Sequence, residues 1–280
     1  MNCLLFRCLN QRDICGRVHI INQERIDNGQ KAIVGSLPWF AGVFRFVKNA
    51  SNYEFLCGGS IISSNLVVTG ARCFWYHRRM SSNIISNISG RYKIAVGKYD
   101  RNFSIIDNNF TQIMDVEHIY LEKGGFFEFL ANNIAIVVLK NRVSFSYYVA
   151  PVCIDFDGKY NVINGYPGKI VGWGYPNNGS ISPILLESSL PYIDLSTCKK
   201  MYPSVSRVVL TDDKFCTTSE LDSGPDVSVG YDGDGLSFFH NNSYYLTGVT
   251  GVKDRLRSII VFTEVKYHMT WIRELYNQHK

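Results

Sequence analysis

The chain has 280 residues, 46% hydrophobic and 19% charged, which is long enough to bury a core and too apolar for a disordered or fibrous protein. Lys and Arg number 29 against 24 Asp and Glu, a formal net charge of +5 with no long basic block, so a nucleic-acid surface is not indicated. The longest clean apolar run, 134–139, falls far short of the roughly 20 residues a membrane helix needs, which excludes a spanning segment.

The first 14 residues offer only Cys3-Leu4-Leu5-Phe6 before Arg7, not the apolar stretch of a signal peptide. Either the true start lies upstream or, as we prefer, these residues belong to a preceding module. Runs rich in Val, Ile, Tyr and Phe, separated by turn residues, predict strands that include 53–62, 65–69, 92–96, 134–139, 169–172, 243–252 and 258–265. Only the last segment reads as a helix. There Val265, Met269, Ile272, Leu275 and Tyr276 share one face at the helical period. The expectation is an all-β barrel or sandwich body with a C-terminal α-helix.

The eight cysteines, Cys3, Cys8, Cys15, Cys57, Cys73, Cys153, Cys198 and Cys216, form no Cys-x-x-Cys pair. An even count of this kind points to disulfides and an oxidising compartment rather than zinc. Six Asn-x-Ser/Thr sequons, at Asn49, Asn87, Asn102, Asn109, Asn178 and Asn241, agree with secretion and exceed the about three expected by chance.

Several strings then occur in order: Arg25-Ile26-Asp27-Asn28-Gly29, Leu37-Pro38-Trp39, Cys57-Gly58-Gly59-Ser60-Ile61-Ile62 and Val68-Thr69-Gly70-Ala71-Arg72-Cys73. Asn132-Asn133-Ile134-Ala135, Pro151-Val152-Cys153, Gly172-Trp173-Gly174, 230–236, Val261-Phe262-Thr263-Glu264-Val265 and Trp271-Ile272 follow. Together they resemble a chymotrypsin-like serine protease of the S1 family across nearly the whole chain. The resemblance implies two six-stranded antiparallel β-barrels with the active site between them. It divides the chain into a light-chain-like or pro-segment, 1–25, and a peptidase-like domain, 26–280, with halves of about 26–140 and 141–280. It also implies the disulfides Cys57–Cys73, Cys198–Cys216 and a tether Cys15–Cys153, leaving Cys3 and Cys8 over. The first of these loops is worth about 3 kcal/mol by chain entropy.

The same resemblance assigns the catalytic positions, and each departs from the family pattern. Arg72 stands at the histidine position, and a guanidinium cannot serve as a base near neutral pH. Asn133 stands at the aspartate position, where it leaves Arg72 without a bidentate acid partner. Asp232 stands at the nucleophile position, placing negative charge where an oxyanion would form, with Gly230 at the oxyanion-hole position. No rescuing histidine is in place, since His77 falls four residues beyond Cys73. Asp226 matches the base of a pocket for Arg or Lys side chains, and Gly251, Val252 and Lys253 match the substrate-binding strand. The expectation is a pocket closed by Lys253 or Arg255 neutralising Asp226 or Asp232, with looser walls because Ser228 stands where a framing cysteine belongs.

Arg25–Ile26 looks like a trypsin-type activation site, and an uncleaved relic is the equal alternative. Tyr231 replaces the acid that receives the new amino terminus, leaving Asp232 or Asp234 for that task. The implied function is a secreted, inactive protease homologue without cofactor or metal, such as those of insect immune or melanisation cascades. Its partner would be an active protease, a zymogen or a cascade substrate. An alternative gives the Asp226, Asp232 and Asp234 cluster residual or altered hydrolase chemistry, or calcium binding, against a plain solvated acidic loop.

Overall fold

β-Branched and aromatic runs broken by Gly, Asn and Ser turns build fourteen antiparallel strands among the residues described by the computed structural model, namely 15–19, 30–77, 83–122, 131–174, 181–203, 209–218, 232–254 and 259–279. The first eight strands are β1 (Gln30–Lys31), β2 (Phe40–Val47), β3 (Asn52–Ile61), β4 (Leu66–Thr69), β5 (Ile84–Ile85), β6 (Tyr92–Val96), β7 (Gln112–Leu121) and β8 (Ala135–Leu139). The rest are β9 (Pro167–Gly172), β10 (Leu186–Pro191), β11 (Lys214–Thr218), β12 (Gly235–His240), β13 (Ser243–Asp254) and β14 (Ile259–Glu264). Arg25 and Ile26 of the expected activation site, together with Cys3, Cys8, Asn178, Asp226, Ser228, Gly230, Tyr231 and Arg255, lie outside the described residues.

The first half closes on itself. Its ladder runs β7-β6-β2-β3-β4-β8, and β8 returns to β7 through partners such as Ile119 and Val137, making a six-stranded barrel with β5 laid against β7. The second half departs from the expected six-stranded barrel. Its described strands form an open, curved sheet in the order β1-β10-β9-β12-β13-β14-β11. The sheet's ends approach only at one bridge, where Ile193 and Cys216 exchange backbone hydrogen bonds of 2.9 and 3.0 Å. The ladder stops there because the next residue, Asp194, starts a helix. Its carboxylate accepts from the Thr197 amide at 2.9 Å and caps α1 (Leu195–Met201). The Ser196 hydroxyl and the Thr197 amide hold that carboxyl well below its ordinary range. This short helix was not foreseen, since seven residues carry too little periodicity to be read.

The two halves also exchange elements. β1, from the N-terminal side, pairs with β10 of the second sheet. The helix expected at the C-terminus is present as α2 (Met269–Gln278), preceded by a 3₁₀ turn at Val265–His268. Its buried Ile272 and Leu275 join the core of the first barrel rather than the second, and the Asn65 side chain donates to the His279 carbonyl at 2.8 Å. Trp173, fully buried at the end of β9, also reaches into the first barrel and stands edge-on to Phe40 and Phe55 at 5.1 and 4.8 Å. Gly42 makes that insertion possible, because a Cβ there would lie 2.8 Å from the indole.

Three disulfides match the pairing the resemblance implied: Cys15–Cys153, Cys57–Cys73 and Cys198–Cys216. Sequons at Asn49, Asn87, Asn102, Asn109 and Asn241 are all exposed. Ile272→Ala should lower unfolding stability by about 2–5 kcal/mol, because its side chain leaves a cavity between α2 and the barrel. A denaturant midpoint close to that of the parent would show that the helix is not an integral part of the core.

Candidate functional site

Arg72, Asn133 and Asp232 come from three separate segments, and the fold brings them together where the two halves meet. Arg72 sits in the 3₁₀ segment Ala71–His77 just beyond β4, and its neighbour Cys73 is bolted to β3 by the disulfide to Cys57. Asn133 precedes β8 in a turn that Asn132 enters with φ of 53°, a left-handed conformation asparagine tolerates. Asp232 precedes β12, next to Gly233 at φ 90°.

Asn133 is fully buried, and its Oδ1 accepts the Arg72 backbone amide at 2.9 Å. Its Nδ2 has no hydrogen-bond acceptor and lies beside Gly251, where a Cβ would come within 3.1 Å of it. The Arg72 guanidinium reaches across the cleft, donating from Nη1 to the Gly251 carbonyl at 3.1 Å. Its Nε lies 3.5 Å from Asp232 Oδ2, both side chains remaining about one-third exposed (35% and 33%). Burial pushes the Asp232 carboxyl above its ordinary range, and the Arg72 charge pulls partly back. The sequence leaves Arg72 without a bidentate acid partner and expects Lys253 or Arg255 to neutralise Asp226 or Asp232. The structure gives Arg72 no bidentate partner but sets Asp232 beside it, through the single Nε–Oδ2 approach. The signal missed was spatial: residues 72 and 232 carry no mark in sequence of their proximity.

Of the expected acidic cluster, Asp226 lies outside the described residues, and Asp232 and Asp234 sit in different surroundings. Asp234 was read as part of a solvated loop, yet it is completely buried. Its carboxylate fills the space over two strands. A Cβ on Gly58 would lie 1.4 Å from Oδ1, and one on Gly172 would lie 2.3 Å from Oδ2. The backbone beside it is fastened to β13, with the Thr250 amide and hydroxyl both 2.9 Å from the Asp234 carbonyl. Asp232 faces Arg72 while Asp234 faces Gly58 and Gly172, so these two carboxylates serve different neighbours. Among the described residues no group of three or more acidic, His or Cys side chains is arranged to hold a metal ion. Asp226 and Gly230, expected at the pocket floor and the oxyanion hole, lie outside the described residues, while Gly251, Val252 and Lys253 lie on β13.

Against known families, the trypsin family model matches residues 26–272. The chain belongs to the trypsin family. It is 28% identical over 206 residues to clotting factor C of Tachypleus tridentatus, an alignment covering 72% of this chain and 20% of that protein. It is 27% identical over 284 residues to the spaetzle-processing enzyme of Drosophila melanogaster, covering 94% of this chain and 68% of that protein. The venom serine protease Bi-VSP of Bombus ignitus is 28% identical over 235 residues, covering 82% of this chain and 61% of that protein. The chain therefore spans about one-fifth of clotting factor C and roughly two-thirds of the other two.

Chemically, the three side chains make a charge-paired, hydrogen-bonded set. A guanidinium keeps its proton at any physiological pH, and a primary amide neither gives nor takes one. Asp232 alone titrates. Its raised pKa means that its favourable contribution is present below the ordinary carboxylate value and is lost as pH rises through the folded-state value. A double-mutant cycle between Arg72→Ala and Asp232→Ala should give a coupling of about 0.5–1 kcal/mol at pH 7. It should vanish near pH 3, where Asp232 is protonated; equal coupling at both values would show that the pair is not held by charge. Gly58→Ala should destabilise by about 1–3 kcal/mol, because Asp234 and its turn must move aside. Unchanged thermal unfolding of that variant would mean that the carboxylate has room to relocate.

Proposed function

We propose that this trypsin-family domain is catalytically inactive and acts by binding, as a regulatory cofactor in an extracellular proteolytic cascade such as immune or melanisation signalling. The contact between the Arg72 guanidinium and Asp232, with the Asn133 amide behind it, carries the reading. Acyl transfer needs a nucleophile, a base near neutral pKa and an anion to steady that base. The corresponding positions hold a carboxylate, a permanent cation and a neutral amide. Removing a whole triad leaves only the catalysis of the oxyanion hole and binding, and a carboxylate at the nucleophile position opposes that remainder.

Three disulfides and five exposed sequons support secretion and glycosylation. No helix among the described residues is long and apolar enough to cross a membrane. The names of two relatives, a clotting factor and a processing enzyme, support the cascade setting and a partner that is an active protease, its zymogen or its substrate. Cleavage at Arg25–Ile26 by a trypsin-like protease would leave the pieces joined through Cys15–Cys153. On this reading it changes partner binding rather than activity. A single intact band after protease treatment and reduction would remove the cleavage step.

Purified protein, cut and uncut, should not hydrolyse an Arg-amide peptide substrate even when roughly 10⁻⁵ of ordinary trypsin-like activity is detectable. Turnover that disappears in Asp232→Ala would overturn the reading in favour of altered acid–base chemistry at that carboxylate. Affinity capture from the source secretion should then recover a protease-cascade component, and its absence would count against the cofactor role.

A further inference from the structure

A second polar cluster joins the two halves. His268 closes the 3₁₀ turn Val265–His268 at the N-terminal boundary of α2, only 3% exposed. Its ring is flanked by a carboxylate on each nitrogen. Nδ1 is in close contact with Glu122 Oε2, at the end of β7 in the first barrel. Nε2 lies 3.4 Å from Asp213 Oδ2, which leads into β11 in the second half, within ion-pair distance but without hydrogen-bond geometry. Asp213 is heavily committed. Oδ2 also accepts from Lys214 Nζ at 2.6 Å and from the Asn132 backbone amide at 2.8 Å, and Oδ1 accepts the Thr211 hydroxyl at 2.5 Å.

Neutral imidazole has one N–H, so one ring nitrogen would turn a lone pair toward a carboxylate; only the imidazolium can donate to both. The charges agree. Glu122 and Asp213 against Lys214 and His268 sum to zero with the ring protonated, and to −1 in a buried site without the proton. The nearby charges are otherwise engaged. Glu264, just before the turn, accepts the Tyr192 hydroxyl at 2.9 Å and faces Lys266 Nζ at 2.7 Å. His279, at the far end of α2, contacts the Tyr120 hydroxyl near His118.

We propose that Glu122, His268 and Asp213 form a pH-operated latch between the two halves of the fold, closed while His268 carries both ring protons and opened when it loses one. The latch reaches the cleft in few steps. Asp213 holds the amide of Asn132, and the next residue, Asn133, holds the amide of Arg72. Opening therefore loosens the turn at 131–134 and alters the cleft presented to a partner. The device is independent of whether that cleft performs chemistry.

Burial opposes the charge on His268, but the two carboxylates outweigh it and raise its pKa above the ordinary histidine value. A raised histidine stabilises fully below the unfolded value and loses that contribution as pH rises through the folded value. Opening is thus an alkaline-side event. Loss of His279's proton does not obscure it, since burial, followed by His118, lowers that pKa.

Two measurements on the intact protein test the latch. The His268 ring, followed by nitrogen-detected NMR titration, should carry protons on both nitrogens at pH 6.5 and titrate above that value. Amide protection at 131–134, corrected for intrinsic exchange, should hold steady below the ordinary histidine value, fall by up to about tenfold per pH unit between that value and the raised one, and level off above it. His268→Gln, which donates from one side and carries no charge, should show lowered protection that no longer responds to pH over that range. A ring that titrates at or below the ordinary histidine value overturns the proposal. So does protection in the parent that is indifferent to pH. Both readings come from the parent protein and stand even if the variant fails to fold.

Discussion

The close approach of Asp234 to Gly58 is the constraint on which the cleft depends. A fully buried carboxylate lies where two glycines leave room, one on β3 of the barrel and one at the end of β9 in the second sheet. Around it the turn at 232–234 is fastened from both sides. The Gly58 amide donates to the Asp232 carbonyl at 3.2 Å, and the Gly233 amide donates to the Thr250 carbonyl at 2.9 Å. The Thr69 hydroxyl, 2.6 Å from the Gly58 carbonyl, ties β4 into the same knot. Asp232 is therefore presented at a fixed place because its neighbours cannot move.

Arg72 is positioned by an equally rigid frame. The Cys57–Cys73 disulfide, the end of β4 and the buried Asn133 carbonyl oxygen fix its backbone, and only the guanidinium is left to choose its acceptors. It takes a backbone carbonyl at full hydrogen-bond distance and a carboxylate at a looser 3.5 Å. That ranking fits a half-exposed cleft, where water competes for a charge pair more than for a sheltered carbonyl. The pair shapes the cleft more than it stabilises the fold.

Stability resides elsewhere, in the aromatic insertion of Trp173 and in the return of α2 to the first barrel. Both carry the second half of the chain into the core of the first. The His268 cluster adds an ionic joint to the same seam, built from a segment of each half. Because these ties are interleaved, the halves of the sequence are not separable units of the structure.

The sequence determined the β-rich character, the C-terminal helix and the identity of the residues at 72, 133 and 232, because these follow from local periodicity and from ordered strings of residues. Strand ends were legible to within a residue or two wherever β-branched runs met turn residues, as at 92–96. What the sequence could not carry was proximity between distant positions. Asp234 reads as one acid in a polar loop, yet packing against Gly58 buries it. Asp213, Glu122 and His268 carry no motif, since a buried network is specified by where chains cross rather than by spacing along one chain. The second barrel was expected to close, but a cap at Asp194 turned the chain into a helix after one bridge. Only the tertiary structure decided those outcomes, because each depends on which backbone surfaces meet and on how little room they leave.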